Sequence, residues 1–213
     1  IKQIVAAYNI PILEVPGFGA DDVIGTISKL AEQSDFNVYM LTPDKDYAQL
    51  VSDKVFIYRP RHGGGYETLD VQGVKDKWGI SSPSQVIDLL GLMGDSSDNI
   101  PGCPGVGEKT AVKLLNDFNS IDNLLNSTDS LKGALKQKII DNCEKIKFSK
   151  FLATIRTDVP IEFEPEKFIL ASPNVVSLCE IFSELEFKSL LKKYSGDKKS
   201  SQKVDLQPSL FDE

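Results

Sequence analysis

Three pairs of aspartates are the residues of this chain most able to do chemistry. They are Asp21 with Asp22, Asp44 with Asp46, and Asp95 with Asp98. The second pair follows an apolar run at residues 37–41, which predicts a buried parallel strand, and open α/β sheets bind ligands at the carboxyl ends of such strands. The first pair begins a predicted helix just before that strand. We therefore expect these aspartates to converge at one edge of a sheet.

Aspartates in this number predict a site for divalent cations. Carboxylate oxygens suit Mg²⁺ or Mn²⁺ and not zinc. Two such ions, about 4 Å apart, could clamp the attacking and leaving oxygens of a phosphodiester. The alternative is that each pair only caps a helix or a turn, which is the commoner use of aspartate. Three pairs at three predicted edge positions favour the metal site.

A glycine-rich segment directly after the third pair predicts a site for an anion. Asp95 and Asp98 are three residues apart, so one helical turn would present both to one point. Residues 101–107 read PGCPGVG, and a helix is predicted over residues 108–118. A tight loop that leads into a helix leaves backbone N–H groups unpaired, and Lys109 and Lys113 add positive charge. The alternative is an Asx turn followed by a capped helix.

The distribution of charge fits these two sites better than the total charge does. A net charge of −7 argues at first against a nucleic-acid partner. However, residues 1–100 hold 14 acidic and 8 basic residues, whereas residues 131–150 hold six lysines and two acids. This division suits a metal-dependent enzyme that acts on phosphodiesters, although a solvated helix face would also explain the lysines.

Composition indicates a globular cytoplasmic protein with no membrane partner. The chain has 213 residues, of which 41% are hydrophobic, and it contains no apolar window of about 18 residues. Three widely spaced cysteines read as reduced thiols. The N-terminal sequence IKQIVAAYN has no initiator Met and no signal pattern, so we expect a fragment of a longer protein.

Hydrophobic periodicity predicts an α/β domain over residues 1–100, a helical domain over residues 101–194 and a polar linker over residues 195–213. The predicted helices are 1–8, 20–33, 46–50, 70–78, 83–93, 108–118, 121–125, 131–143, 144–156, 175–185 and 188–194. The predicted strands are 12–15, 37–41, 55–58 and 66–69.

Several motifs in this order resemble one family. They are GFGADD at residues 17–22, LTPDKD at 41–46, GDSSDNIPG at 94–102, GVGEKTA at 105–111 and RTD at 156–158. The chain resembles the 5′-nuclease (5′→3′ exonuclease) domain of bacterial DNA polymerase I, within the flap endonuclease-like superfamily. The resemblance implies a partial PIN-like sheet domain followed by a helix-three-turn-helix DNA-binding domain.

The resemblance also implies roles for particular residues. Asp21, Asp22, Asp44, Asp46, Asp95 and Asp98 would be catalytic, with Asp21 at a first metal site and Asp44, Asp46, Asp95 and Asp98 at a second. Gly102, Gly105, Val106, Gly107, Lys109, Thr110 and Lys113 would bind DNA, with a K⁺ ion at the helix-three-turn-helix. The implied reaction is two-metal hydrolysis of DNA or RNA 5′ strands at flaps or nicks, in primer removal and repair, in the bacterial cytoplasm at the nucleoid. A full-length protein would also be a DNA-directed DNA polymerase.

Two departures from the family pattern predict impaired hydrolysis. Family members begin with a strand and a helical arch that supply further aspartates, and these do not precede Ile1. Gly19 also stands where the family usually has Glu. We therefore expect an incomplete first metal site and a complete second one, with Lys45 as a local counter-charge. The alternatives are a catalytically inactive, structure-specific DNA-binding module and a standalone 5′-nuclease.

The C-terminal tail suggests one protein partner. Gln207–Phe211 reads QPSLF and resembles the short peptides with which bacterial replication proteins bind the sliding clamp. In such a peptide, Leu210 and Phe211 would fill an apolar pocket. The alternative is that these two residues begin the next domain or pack back onto this one.

Overall fold

The computed structural model describes residues 1–61 and 63–195. Two units each fold around a core of their own. One unit comprises Ile1–Leu13 together with the chain from Glu164 onward, and the other comprises Glu14–Phe163. The candidate site residues all belong to the second unit.

A three-stranded sheet lies in the second unit. The strands are β1 (Val38–Leu41), β2 (Val55–Pro60) and β3 (Tyr66–Leu69), with β2 in the centre. β1 runs parallel to β2, whereas β3 runs antiparallel to it. Met40, Ile57 and Leu69 are aligned across the three strands and all three are buried. Because β1 and β2 are parallel, the chain segments that follow them leave the sheet at the same edge.

Helices make up most of the rest of this unit. They are α2 (Ala20–Gln33), α3 (Val71–Trp78), α4 (Gln85–Met93), α5 (Glu108–Phe118), α6 (Ile121–Asn126), α7 (Gly133–Asp141) and α8 (Cys143–Ala153), with 3₁₀ turns at Asp46–Leu50 and Thr128–Ser130. α4 is the central helix, since Leu89, Leu90 and Leu92 are each at most 1% exposed. It packs against α5, α8 and the 3₁₀ helix at Asp46–Leu50, so it supports both candidate sites.

Close packing of α4 against α8 depends on Gly91. A Cβ atom at this position would lie 2.8 Å from Ile121 Cδ1 and 3.1 Å from the backbone Cα of Lys150. Ion pairs also link the two helices. Lys150 Nζ on α8 lies 2.9 Å from Asp88 on α4 and 2.6 Å from Asp122 on α6. One lysine therefore neutralises two acids where three helices meet.

The first unit is a small helical assembly. It contains α1 (Lys2–Ala7), a 3₁₀ turn at Pro165–Phe168, α9 (Val175–Glu184) and α10 (Lys188–Ser195). Leu178 and Phe182 of α9 form its core together with Ala7. The ring hydroxyls of Tyr8 and Tyr194 are hydrogen-bonded at 2.9 Å, which holds the two ends of this unit together.

Nearly all of the predicted elements are confirmed, and α2 and α5 have the predicted bounds. The strand predicted over residues 12–15 is wrong. Ile12 and Leu13 are 41% and 38% exposed, and the described chain offers this segment no neighbouring strand with which to pair. An apolar segment without a hydrogen-bonding neighbour cannot form a sheet.

The predicted division at residue 100 remains a prediction, and the unit Glu14–Phe163 contains residues from both sides of it. Ser195 ends α10, whereas the rest of the predicted linker, including Gln207–Phe211, lies outside the described residues. Over the residues that the structure describes, we find no helix with the length and apolarity needed to cross a membrane.

Gly91→Ala should destabilise the protein by about 1–2 kcal/mol, because overpacking costs about 1–3 kcal/mol and exceeds the gain of up to about 1 kcal/mol in helix propensity. Urea unfolding measures this change. Gly107→Ala is the control, since a Cβ atom there meets nothing within 4 Å. An unfolding midpoint for Gly91→Ala at or above that of the original protein would contradict the packing described.

Candidate metal centre and phosphate loop

The segment after β1 brings Asp46 to the carboxyl edge of the sheet. The hydroxyl of Thr42 accepts a hydrogen bond from the Asp44 N–H group at 3.1 Å, and the Asp44 carboxylate accepts one from the Asp46 N–H group at 3.0 Å. These side chains therefore fold the backbone into a turn, as Asp and Thr commonly do. The turn leads into the 3₁₀ helix at Asp46–Leu50, whose first residue presents its carboxylate at the site.

The loop after α4 presents the other two carboxylates. Asp95 and Asp98 do not share a helical turn, which is the arrangement in which their spacing would bring both carboxylates to one point. Asp95 and Ile100 exchange two backbone hydrogen bonds, each 2.8 Å long, and close a tight loop. Within this loop the Asp95 carboxylate accepts the Ser97 N–H group at 2.9 Å. Glycine and proline flank the loop, and its left-handed positions at Gly94 and Asn99 prevent a helix from continuing through it.

Asp46, Asp95 and Asp98 form a cluster in which one carboxylate oxygen from each lies within 4.8 Å of the others. Lys45 supplies the counter-charge. Its ammonium group contacts the Asp95 carboxylate and lies 3.8 Å from that of Asp46. The prediction that Lys45 lies among these acids as a positive charge therefore agrees with the geometry.

The pKa of Asp46 is raised to about 6, chiefly by burial and also by the neighbouring carboxylates of Asp44, Asp95 and Asp98, against the opposing effect of Lys45. Burial also acts to raise the pKa of Asp95. There, however, the hydrogen bonds from Lys45 and Ser97 outweigh burial and lower the pKa. The two acids thus differ because Asp95 accepts hydrogen bonds from Lys45 and Ser97, whereas burial is the largest influence on Asp46.

The cluster fits a divalent cation by its donor chemistry. Three carboxylates supply only hard oxygen donors, which Mg²⁺ and Mn²⁺ prefer. One oxygen of Asp46, Oδ1, is buried and makes no hydrogen bond within the described chain. A buried carboxylate oxygen without a donor is costly, and a cation would satisfy it.

The remaining predicted acids lie around this cluster. Asp21 and Asp22 line a cavity of about 420 Å³ together with Asp46 and Asp98. Asp22 is tied to the backbone, because its carboxylate accepts the N–H groups of Gly19 at 3.3 Å and Arg156 at 2.9 Å. Asp44 is not a member of the three-carboxylate group and shapes the turn before Asp46. The structure thus brings five of the six aspartates to one cavity or cluster.

The glycine-rich loop between α4 and α5 is anchored at its start. Gly102 has a positive φ of 59°, and its N–H group donates to the buried hydroxyl of Ser149 on α8 at 3.0 Å. Val106 is buried, and its N–H group donates to the Cys103 carbonyl at 3.0 Å. Among the predicted DNA-binding residues, Val106 therefore supports the loop from inside.

The outer part of the loop agrees with the predicted anion site. Gly107 precedes the first residue of α5, and the N–H groups of Gly107, Glu108 and Lys109 have no hydrogen-bond partner in the described chain. The Thr110 N–H group donates to the Gly107 carbonyl at 3.0 Å. Gly105, Lys109 and Lys113 are exposed.

The lysine run of residues 131–150 contributes to this surface only in part. Lys136, Lys147 and Lys150 are paired with acids. Lys132, Lys138 and Lys145 are exposed and have no acidic partner within 4.0 Å in the described chain. Lys138 lies over the loop, since its Nζ atom is 2.6 Å from the position that a Cβ atom on Gly105 would take.

Two protein-family models match this chain in succession. The model described as "5'-3' exonuclease, N-terminal resolvase-like domain" matches residues 1–79, and the model described as "5'-3' exonuclease, C-terminal SAM fold" matches residues 81–175. The chain belongs to the 5′-3′ exonuclease family. The resemblance inferred from the motifs is therefore confirmed, as is the fold class of an α/β resolvase-like part followed by a helical part.

Relatives of known sequence include two bacterial DNA polymerases. DNA polymerase I of Bacillus subtilis is 43% identical over 199 residues, which are 92% of this chain and 22% of that protein. The thermostable DNA polymerase I of Thermus aquaticus is 40% identical over 194 residues, which are 91% of this chain and 22% of that protein. The chain thus spans about a fifth of the length of these relatives.

Solved structures share the fold of this 5′-3′ exonuclease family member at lower identity. The T5 5′-exonuclease with bound divalent zinc ions has a TM-score of 0.62 and 20% identity, with 88% of this chain and 61% of that one aligned. The catalytic core of Rad2 in complex with a DNA substrate has a TM-score of 0.61 and 16% identity, with 91% and 68% aligned.

Sequence reasoning missed three residues of this site. The hydroxyl of Ser149 is buried and orients the loop, but a serine within a helix gives no sign of this role. Lys138 could be assigned only to a basic run, not to a place above Gly105. The ring of Phe151 lines the acidic cavity while 73% exposed, whereas an aromatic residue in an amphipathic helix normally indicates core.

Asp46→Asn should stabilise the metal-free protein at pH 7.5 by about 2 kcal/mol. The pKa of Asp46 is raised from 3.8 to about 6 in the folded state, so the folded protein binds this proton more tightly than the unfolded chain does. The contribution of the protonated Asp46 carboxyl to the free energy of unfolding is therefore present below pH 4 and is lost as the pH rises through about 6. The difference between variant and original protein should therefore vanish near pH 4.

Urea unfolding in EDTA from pH 4 to pH 8 measures this difference. Asp117→Asn, an exposed acid of α5, should give a curve parallel to that of the original protein. Added Mg²⁺ should stabilise the original protein more than Asp46→Asn. A constant offset between the two proteins across the pH range would show that burial does not perturb Asp46.

Proposed function

We propose that this chain is a metal-dependent 5′-nuclease module that hydrolyses phosphodiester bonds in the 5′ strands of flapped or nicked duplexes, DNA or RNA. The observation that supports this most strongly is the cluster of Asp46, Asp95 and Asp98. Its members come from two separate segments, and its one buried, unsatisfied oxygen is suited to a cation. Family membership supplies the reaction class.

The chain's own residues would hold the ion and keep the cluster stable before it binds. Asp46, Asp95 and Asp98 would ligate Mg²⁺ or Mn²⁺, with Asp21, Asp22 and Asp44 around them. A divalent ion bound there supplies Lewis-acid polarisation of the phosphodiester and an activated water molecule. Lys45 offsets the repulsion among the acids in the metal-free protein. The backbone pair between Asp95 and Ile100 keeps two of the ligands in place.

The glycine-rich loop would hold the duplex beside this centre. Free N–H groups at the start of α5, with Lys109, Lys113 and Lys138, suit the phosphate oxygens of a nucleic-acid backbone. Gly102, Gly105, Gly107 and Thr110 would shape this contact, and Val106 would support it from the core. A K⁺ ion at the loop belongs to the same proposal.

The relatives also suggest in which process and in which larger protein the module works. Two relatives are DNA polymerases I, so we propose that the module works in primer removal and repair within such a protein, in the bacterial cytoplasm at the nucleoid. Binding of the sliding clamp through Gln207–Phe211 is proposed from the sequence alone.

A second candidate function is structure-specific DNA binding without catalysis. It is favoured by Lys45, whose ammonium group already contacts the carboxylates that a metal ion would need. It is also favoured by Gly19, which offers no carboxylate to a metal ion although a Cβ atom there would meet nothing closer than 3.6 Å.

Calorimetric titration with Mn²⁺ should detect one tight site, because the described chain contains one group of three carboxylates. Asp95→Asn should weaken this site by at least about tenfold, since it removes a ligand. With a labelled 5′-flap DNA, the original protein should release product only when Mg²⁺ or Mn²⁺ is present. Asp95→Asn should slow this release by on the order of 100-fold.

The control for both measurements is again Asp117→Asn, and thermal unfolding checks that Asp95→Asn is folded. Tight Mn²⁺ binding and duplex binding without any product would favour the second candidate. Absence of Mn²⁺ binding by the folded original protein would refute the metal centre.

Lys109→Ala and Lys138→Ala should each weaken duplex binding regardless of sequence, and each should reduce the slope of log K against log salt concentration by about 1. Fluorescence anisotropy at several salt concentrations measures both effects. The charge-matched control is Lys54→Ala, which removes a lysine paired with Asp35 at the opposite end of β2. Unchanged salt slopes for both loop variants would exclude the loop as the duplex site.

A further inference from the structure

The wall of the acidic cavity contains an exposed aromatic ring. Phe151, near the end of α8, is 73% exposed and lines this cavity together with Leu152, which is 43% exposed. The same helix buries Ile146 and Ser149 on its other face. The ring therefore adds little to the core, and its exposed surface is accessible to a ligand in the cavity.

The charges around the cavity indicate what can lie against this ring. Asp21, Asp22, Asp46 and Asp98 line the same space, so a phosphate cannot approach the ring side without cations. Among the described residues that line the cavity, Arg156 is the one with a basic side chain. Its guanidinium pairs with Asp158 through two contacts of 2.9 and 3.0 Å and lies 5.0 Å from the Phe18 ring. Because this guanidinium is already paired, the part of the wall formed by Phe151 and Leu152 offers a flat hydrophobic surface to a neutral group.

We propose that Phe151 is a stacking platform for an unpaired nucleobase of the strand being cut, at the nucleotide next to the phosphate that reacts at the Asp46–Asp95–Asp98 cluster. A base is flat and neutral, so the acidic surroundings tolerate it, and every base has a face that can stack on an aromatic ring. The cavity volume of about 420 Å³ lies within the range of small-ligand sites. This inference rests on the proposed nuclease function and adds a positioning residue to it.

Stacking of this kind has a mechanistic consequence. The carboxylates can hold a cation, but they cannot by themselves select which phosphate of a strand lies beside it. A base held against Phe151 fixes the position of its own backbone, because neighbouring phosphates are separated by one nucleotide. Phe151 would thereby set the register of the cut without contacting the reacting atoms.

The test pairs changes in the protein with changes in the DNA. The full chain binds a 5′-flap DNA in Ca²⁺, with either a normal base or an abasic site at the nucleotide bordering the junction. We expect Phe151→Ala to weaken binding of the normal DNA about tenfold and to leave binding of the abasic DNA unchanged. Phe151→Tyr should behave as the original protein, whereas Phe151→Leu should resemble the Ala variant.

A spectroscopic measurement separates stacking from simple loss of contact. With 2-aminopurine at the same nucleotide, binding by the original protein and by Phe151→Tyr should quench the fluorescence, and binding by Phe151→Ala should not. Phe148→Ala is the control. It removes an aromatic ring that is 55% exposed, one turn earlier on α8 and outside the cavity lining, and it should leave both binding and quenching unchanged.

The outcomes distinguish this inference from the function on which it rests. If the original protein binds and cuts the flap, but Phe151→Ala loses the same affinity for normal and abasic DNA, the stacking platform is refuted and the nuclease function stands. If the folded original protein neither binds nor cuts with a divalent ion, the proposed function fails, and the stacking inference fails with it. A change of the cut position in Phe151→Ala would support the assigned register role.

Discussion

The direct backbone contact between Gly94 and Gly102 is the constraint on which both candidate sites depend. A Cβ atom on Gly102 would lie 2.3 Å from the Gly94 nitrogen, and one on Gly94 would lie 2.7 Å from the Ile100 carbonyl oxygen. Both glycines have positive φ angles, which other residues adopt only with strain. The chain can therefore close the loop that bears Asp95 and Asp98 and at once begin the loop that leads into α5. The candidate metal centre and the candidate phosphate loop are thus joined in one segment.

Helix α8 holds this segment through a buried hydroxyl whose hydrogen bonds are satisfied. Ser149 accepts the Gly102 N–H group and donates to the Lys145 carbonyl at 2.8 Å, so its buried hydroxyl has both a donor and an acceptor. Lys150, next along α8, pairs with Asp88 and Asp122. Buried polar groups contribute specificity when their hydrogen bonds are complete, and this helix therefore fixes the loop in a single position. Its other face remains free to border the cavity.

The sequence was sufficient for the elements and insufficient for the contacts between them. α2 and α5 could be predicted to the residue, because each has a clear helical period and a glycine before its first turn. The segment at residues 12–15 has the same kind of apolar pattern as a strand, but pairing is a property of neighbours and not of the segment itself. Spacing suggested a helical turn for Asp95 and Asp98, whereas the glycine at residue 94 and the backbone pair to Ile100 produce a loop.

The sequence was enough to identify the acidic residues of the site but not to show how they are arranged. The three aspartate pairs were visible as sequence motifs, and the edge to which they were assigned agrees with the cavity. No pattern distinguishes Asp44, whose carboxylate folds a turn, from Asp46, which is two residues away and lies in the cluster. Likewise, the lysine run could be counted, but its pairing could not, and three of its six lysines are held by acids. These distinctions depend on distances between segments that are far apart in sequence.

The contact of Lys45 with the carboxylates has a consequence for how the site is filled. An amine attached to the chain is present at a high local concentration, so every ion from solution must compete with it for the same oxygens. The apparent affinity for any ion is then its intrinsic affinity multiplied by the fraction of molecules in which the amine has moved away from the carboxylates. A monovalent ion such as K⁺ offers the carboxylates no more charge than the amine does, whereas a divalent ion offers twice as much. At the proposed metal centre, this lysine would therefore favour divalent over monovalent ions.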